Sequence, residues 1–165
     1  SGKRPMRFVA DVMLGRLARW LRVLGFDTLY QSFDPVRDIT QMVQRGRIPL
    51  TRQRKMIPLL EDAVFIRYNS VGEQLTQLKR LLLLETCHVN WFSRCLLCNV
   101  LLMDAPEEAA RDNIPEYVFY KNIKSIRFCP ACDRYFWPGS HRVRMEKQLN
   151  LWGFFNPFLD LGGKS

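Results

Sequence analysis

Two cysteine pairs, Cys95-Leu96-Leu97-Cys98 and Cys129-Pro130-Ala131-Cys132, constrain this chain more than any other feature. A Cys-x-x-Cys hook presents two sulfurs at the tip of a tight turn, and two hooks can close a tetrahedral thiolate cage suited to Zn²⁺. With cysteine at all corners no position is left for water or substrate, so the predicted zinc site is structural. The 30 residues between the hooks, Asn99 to Phe128, exceed the usual ribbon spacing. Buried free thiols or an iron–sulfur cluster are the alternatives. His141 follows the second hook and is read as a surface or packing residue, because four cysteines already complete the set.

A chain of 165 residues can bury one ordinary core plus a metal-stapled satellite. The hook spacing suits a metal better than disulfides, which favours a reducing compartment, cytoplasmic or nuclear. Cys87 is left over; beside His88 it is a buried structural thiol or, less compatibly with side-chain directions, half of a catalytic pair. The longest aliphatic run, Leu81 to Leu84, is far too short to span a bilayer, so no membrane role is expected. Ser1-Gly2, without an initiating methionine, suggests a piece of a longer protein.

Short apolar runs alternate with helical patterns through the first half, the signature of a sheet with crossover helices. Met6 to Ala10 is the first predicted strand. Leu14, Leu17, Ala18, Leu21 and Leu24 recur at helical spacing, and Gly25 stops that helix. Strands follow at Thr28 to Tyr30, at Arg47 to Thr51 and at Ala63 to Tyr68; Pro49 suits the middle one of these to an edge or irregular position better than to a sheet centre. Asp38 opens a short helix that ends at Gly46, and Glu73 to Leu84 is a long amphipathic one. Beyond Trp91 the pattern breaks into short segments around the hooks, with helix-like stretches at Pro106 to Asp112 and His141 to Leu149. The expected organisation is an α/β module with a mostly parallel sheet over 6–88, a zinc ribbon over 89–149 and an aromatic tail over 150–165. The tail is expected to pack across its own ribbon, or else to latch a protein partner.

The net charge of +9 raises attraction to polyanions, and its distribution is uneven. Up to Asn90 there are 15 Lys+Arg against 8 Asp+Glu, and beyond it 10 against 8. The predicted phosphate-tracking set is Arg16, Arg19 and Arg22 on the first helix, the cluster Arg45, Arg47, Arg52, Arg54 and Lys55, and Arg127, Arg134, Arg142 and Arg144 in the ribbon. Tyr135 and Trp137 are the aromatics nearby that could stack on bases of single-stranded RNA. Taken singly, each arginine also fits a solvated helix face and each aromatic fits a core. Asp11, ending the first strand, and Asp38 are the acids an open α/β sheet would place at its carboxyl edge, where paired carboxylates hold Mg²⁺ or Mn²⁺ for phosphodiester cleavage. Each also has a plain reading, as a loop acid and a helix N-cap.

The run from Phe8 to Tyr30, then Arg47-Ile48-Pro49-Leu50-Thr51-Arg52, Ser93 to Asn99 and Cys129 to Trp137, resembles the PIN-like ribonuclease domain with attached zinc ribbon at the C-terminus of mutator-seven type exonucleases, also found as a free-standing prokaryotic protein. The resemblance extends from about Arg7 to Met145. It implies a PIN-like α/β/α sandwich whose metal centre is built from Asp11, Asp38 and the acid after Thr-Arg. Here that third position is Gln53, which keeps an oxygen but loses the charge a divalent ion needs. The implied centre is therefore vestigial, and Arg52 and Arg54 beside it are expected to hold phosphate instead. The resemblance further implies an exonuclease domain in the same longer chain and an RNA-silencing context. The expected function is RNA binding without cleavage; the alternative is an active Mg²⁺- or Mn²⁺-dependent endoribonuclease.

Overall fold

A computed structural model of the chain describes residues 6–34, 40–84 and 89–156. Strand β1 (Arg7–Asp11) runs up the middle of a four-stranded parallel sheet, with β2 (Asp27–Gln31) on one side and β3 (Arg47–Thr51) then β4 (Val64–Phe65) on the other. Both neighbours of β1 are parallel, so it is covered above and below and reads as an unbroken apolar run. Its alternate residues serve two cores. Phe8 and Ala10 face the layer made by α1 (Gly15–Val23), α3 (Val71–Leu82) and α6 (Ser140–Leu151), while Val9 faces Phe33, Met56 and Leu60 on the opposite side. The result is the predicted α/β/α sandwich.

Helix α1 follows from its sequence. Leu17, Ala18 and Leu21 lie on one face and are buried, and each fully buried leucine contributes roughly 1.5–3 kcal/mol. Gly25 ends the helix at φ +100°, with the Phe26 N–H donating to the Leu21 carbonyl and the Gly25 N–H to that of Arg22. A Cβ at Gly25 would also lie 2.4 Å from the Asn90 carbonyl oxygen, so glycine is needed there for two reasons.

The prediction for β3 needs correction. It is an inner strand, not an edge, yet β4 pairs only with Leu50 and Thr51. At Pro49 the sheet has not yet widened, and no ladder on that side requires its missing N–H. The short helix expected near Asp38 is α2 (Thr40–Gln44). Asp38 itself, and Cys87 and His88, lie outside the described residues.

The second half forms a three-stranded antiparallel sheet, β5 (Met103–Asp104), β6 (Arg127–Phe128) and β7 (Tyr135–Phe136), with α4 (Glu107–Asn113) and α5 (Glu116–Asn122) inserted between the hooks. This explains the long spacing: those two helices bury Ala110, Ile114, Val118 and Phe119 in a core of their own with Ile126. Of the tail only 150–156 is described, and this part packs on the first module. Met145 and Leu149 of α6, and Phe154 beyond it, join the first module's core, and Trp152 meets Trp20 of α1 edge-on at 4.9 Å between ring centres. Gly72 of α3 admits the Trp152 indole, which would lie 2.4 Å from any Cβ placed there. The chain thus returns to the α/β module after the ribbon. Among the described residues no helix is long and apolar enough to cross a membrane.

Candidate functional site

In the strand order β2-β1-β3-β4 the chain reverses direction of travel between β1 and β3, which makes the carboxyl ends of those two strands the place where open α/β sheets bind ligands. Asp11 and Thr51 stand there, with Gln53 just beyond. Asp11 is fully buried, and both its oxygens are occupied. Oδ1 accepts from the backbone N–H groups of Val12 (2.7 Å) and Phe33 (3.1 Å). Oδ2 accepts from the Thr51 hydroxyl (2.8 Å) and from Nε2 of Gln53 (2.6 Å). The same Gln53 NH₂ lies 3.3 Å from the Phe33 carbonyl oxygen, so it bridges two acceptors. Only a donor suits that position, and Gln53 therefore turns its nitrogen toward the acid. A carboxylate has about four acceptor directions, and here four donors take them.

The second site is the cysteine cage. The sulfurs of Cys95, Cys98, Cys129 and Cys132 all lie within 4.8 Å of one another, with Cys95 and Cys132 3.8 Å apart. A tetrahedron with Zn–S bonds of about 2.3 Å has edges of about 3.8 Å, so these four residues fit a zinc ion. The two hooks share one geometry. The N–H of Cys95 donates to Val100 and that of Cys129 to Arg134, while Asn99 and Asp133 donate back to the carbonyls of Cys95 and Cys129. Asn99 (φ 68°) and Asp133 (φ 61°) take the left-handed conformation that closes each turn, one that Asn and Asp tolerate better than most residues. Within the thiol cluster, the Arg134 backbone N–H leads the interactions that pull the Cys132 thiol down to about 7. Hydrogen bonding to Cys132 leads those that push Cys98 up to about 12. Metal uptake must displace the protons held there, so affinity falls as pH is lowered.

The ribbon is anchored to the first module by polar contacts that the sequence analysis missed. Asn99 accepts from the Thr28 N–H (2.9 Å) and donates to Asp27 (2.6 Å), where β2 begins. Asp27 also pairs with Arg47 at 2.7 Å. Burial raises the Asp27 pKa, but hydrogen bonds from Arg47 and Asn99, with the charges of Arg47 and Arg94, outweigh it and leave the carboxyl below its ordinary range. Arg22 donates Nε to the Thr28 carbonyl and Nη1 to the Leu96 and Leu97 carbonyls of the first hook. Arg94 holds the carbonyls of Gly25 and Asn99. The one sequence signal for this was position: Arg94 and Asn99 flank the hook directly.

Two predicted phosphate contacts are therefore corrected. Arg22 is only 9% exposed and Arg47 is tied to Asp27; their guanidinium groups are committed inside the protein. Replacing Arg22 with Met is expected to cost about 2–4 kcal/mol in urea unfolding, because buried carbonyls lose their donors. Arg16→Met, on the exposed side of the same helix, should stay within about 0.5 kcal/mol. Equal stability of the two variants would contradict this account of Arg22.

The other basic residues divide by surroundings. Arg16, Arg19, Arg45, Arg54, Lys55, Arg127, Arg134 and Arg144 are exposed. Arg52 donates to Asn69 (2.7 Å) and Arg54 lies over the Phe65 ring at 4.4 Å. Arg127 pairs with Asp104, and Arg142 pairs with Glu146 while lying over Phe92. His141 is exposed and is not part of the cysteine cluster.

A parallel sheet with an acid at its switch point, helical layers on both faces and a docked four-cysteine ribbon define a PIN-like ribonuclease-type module. Residues 6–149 match the family model of the Mut7-C RNAse domain, and the chain belongs to that family. Comparisons with curated proteins and with solved structures each returned no match. The family gives the chain an RNA-related, nuclease-like function.

Proposed function

We propose that this chain binds single-stranded RNA without cutting it, as an accessory module that holds RNA for an exoribonuclease domain in the same longer protein. The observation that carries the reading is Asp11. Its two oxygens receive four hydrogen bonds and none of its surface meets solvent, so a cation would have to strip donors from a buried carboxylate before it could bind. The Gln53 amide fills with a hydrogen-bond donor the side of Asp11 that a cutting centre would turn toward a metal ion. The exposed surface of the protein is rich in arginine, which suits a polyanion that is bound and released, and the net charge of +9 favours its approach. Such a module would act in the cytoplasm or nucleus, and in RNA silencing if its longer chain does.

A cleavage assay on labelled single-stranded RNA, with and without Mn²⁺, run beside a filter-binding titration on the same preparation, tests this. Binding that weakens steeply with salt, without product, is the expected result. Product that requires Mn²⁺ and vanishes in Asp11→Asn would instead establish the endoribonuclease.

A further inference from the structure

The RNA-binding reading does not say where the strand lies, and the neighbourhood of Asp11 is not the best place for it. A cleft of about 650 Å³ opens at the other end of the sheet, where the ribbon meets the first module. The ribbon docks on Asp27 and Thr28, which pair with Arg7 and Phe8 at the start of β1, whereas Asp11 ends that strand. Four residue steps at about 3.3 Å separate these edges by roughly 13 Å.

The cleft is lined by Arg19, Arg94, Lys121, Arg127, Arg134 and Arg142, and among the described residues lining it there is no Asp or Glu. Three of these cations have charge partly or wholly spoken for: Arg94 by backbone carbonyls, Arg127 by Asp104 and Arg142 by Glu146. Arg19, Lys121 and Arg134 are exposed and enter no ion pair among the described residues. They come from α1, α5 and the second hook, so three separate elements converge charge on one groove.

Between them stand rings. Tyr135 and Trp137 are half-buried, each packed against the ribbon's core of Ala110, Ile114 and Phe119, while both also line the cleft. Gly139 lets the Trp137 indole approach closely, since a Cβ there would sit 3.0 Å from Nε1. A ring immobilised on one side and open on the other loses little entropy when a base stacks on it. Separated cations flanking fixed aromatic faces match the alternation of phosphate and base in a single strand, and match a folded or acidic protein surface less well.

We infer that this cleft, and not the closed Asp11 centre, is the single-stranded RNA site, with bases stacked on Trp137 and Tyr135 and phosphates held by Arg19, Lys121 and Arg134. The inference rests on the RNA-binding reading above but can fail separately from it. The test is anisotropy titration of fluorescein-labelled oligouridylate with the whole chain, at several salt concentrations. The double change Lys121→Glu with Arg134→Glu, both at exposed positions, should weaken binding at least about tenfold and flatten the salt dependence by about two phosphate contacts. Trp137→Leu should weaken it roughly tenfold with the salt slope unchanged, and Trp137→Phe should restore most of the loss. Zinc content and melting temperature measured on each variant separate binding from folding. The pair Arg67→Glu with Arg80→Glu, exposed on the first module and outside the cleft, should change affinity little. Loss of binding in that pair, with the cleft variants unaffected, overturns the location and leaves the RNA reading standing. Polyglutamate competing as well as RNA overturns the cleft as a nucleic-acid site. No binding by the unaltered chain sinks both.

Discussion

Removing metal from the four-cysteine cage, by chelator or by Cys129→Ser, is expected to unfold the ribbon. Its strands are two residues each and its separate core is five buried side chains, too little to offset the entropy of ordering some fifty residues without a staple. Structural zinc in such modules contributes on the order of 10 kcal/mol of apparent folding free energy. The damage should reach the first module as well, because Asn99 and the carbonyls of Leu96 and Leu97 are held in place by the first hook and are what Thr28, Asp27 and Arg22 bind. Far-UV circular dichroism during chelator titration should therefore lose signal, and the remaining α/β module should melt earlier. Lower pH makes chelation easier, since thiolates must take protons back before the ion leaves. A chelated protein that keeps its original melting transition would contradict this.

Changing Gln53 to Glu is expected to cost about 2–4 kcal/mol at neutral pH in the absence of divalent cations. The replacement is nearly the same shape, but it removes the NH₂ that bridges Asp11 and the Phe33 carbonyl and sets a carboxylate about 2.6 Å from another. Two facing carboxylates raise one another's pKa, and a group whose pKa is raised on folding favours the folded state at low pH and disfavours it as pH rises. The penalty should therefore shrink toward pH 5. It should also shrink on adding Mn²⁺, which the paired acids can hold and the native amide cannot. Urea midpoints at two pH values, with and without the ion, read all three effects. A variant as stable as the native chain without cation would mean that Gln53 does not close the centre, whatever its cleavage activity.

Much of this protein was legible from one dimension because the relevant signals are local. The two hooks carry their own turn geometry, down to the residue after each second cysteine that takes the left-handed conformation. The leucine spacing of α1 and its terminal Gly25 define a helix before anything packs on it. Phe8-Val9-Ala10, apolar without a break, identifies a strand covered on both faces. Even the altered chemistry at position 53 is a matter of identity: an amide cannot supply the charge of a carboxylate.

What lay beyond reach depended on partners distant in sequence. Which way the Gln53 amide points follows from Phe33 and Asp11 both being acceptors, and they meet only across the sheet. Arg16, Arg19 and Arg22 look equivalent on a helical face, yet Arg22 is withdrawn because a hook 74 residues later brings its carbonyls there. Trp152, at the start of the aromatic tail, could as well have covered the ribbon; it lies against α1 and α3, where Gly72 and Trp20 leave a place that residue type alone does not advertise. Composition and periodicity thus determined the modules and the metal staple, since those rest on short-range geometry and on the chemistry of single side chains. Tertiary structure decided which charges face solvent and which groups meet Asp11, because burial and hydrogen bonding are properties of pairs that only folding brings together.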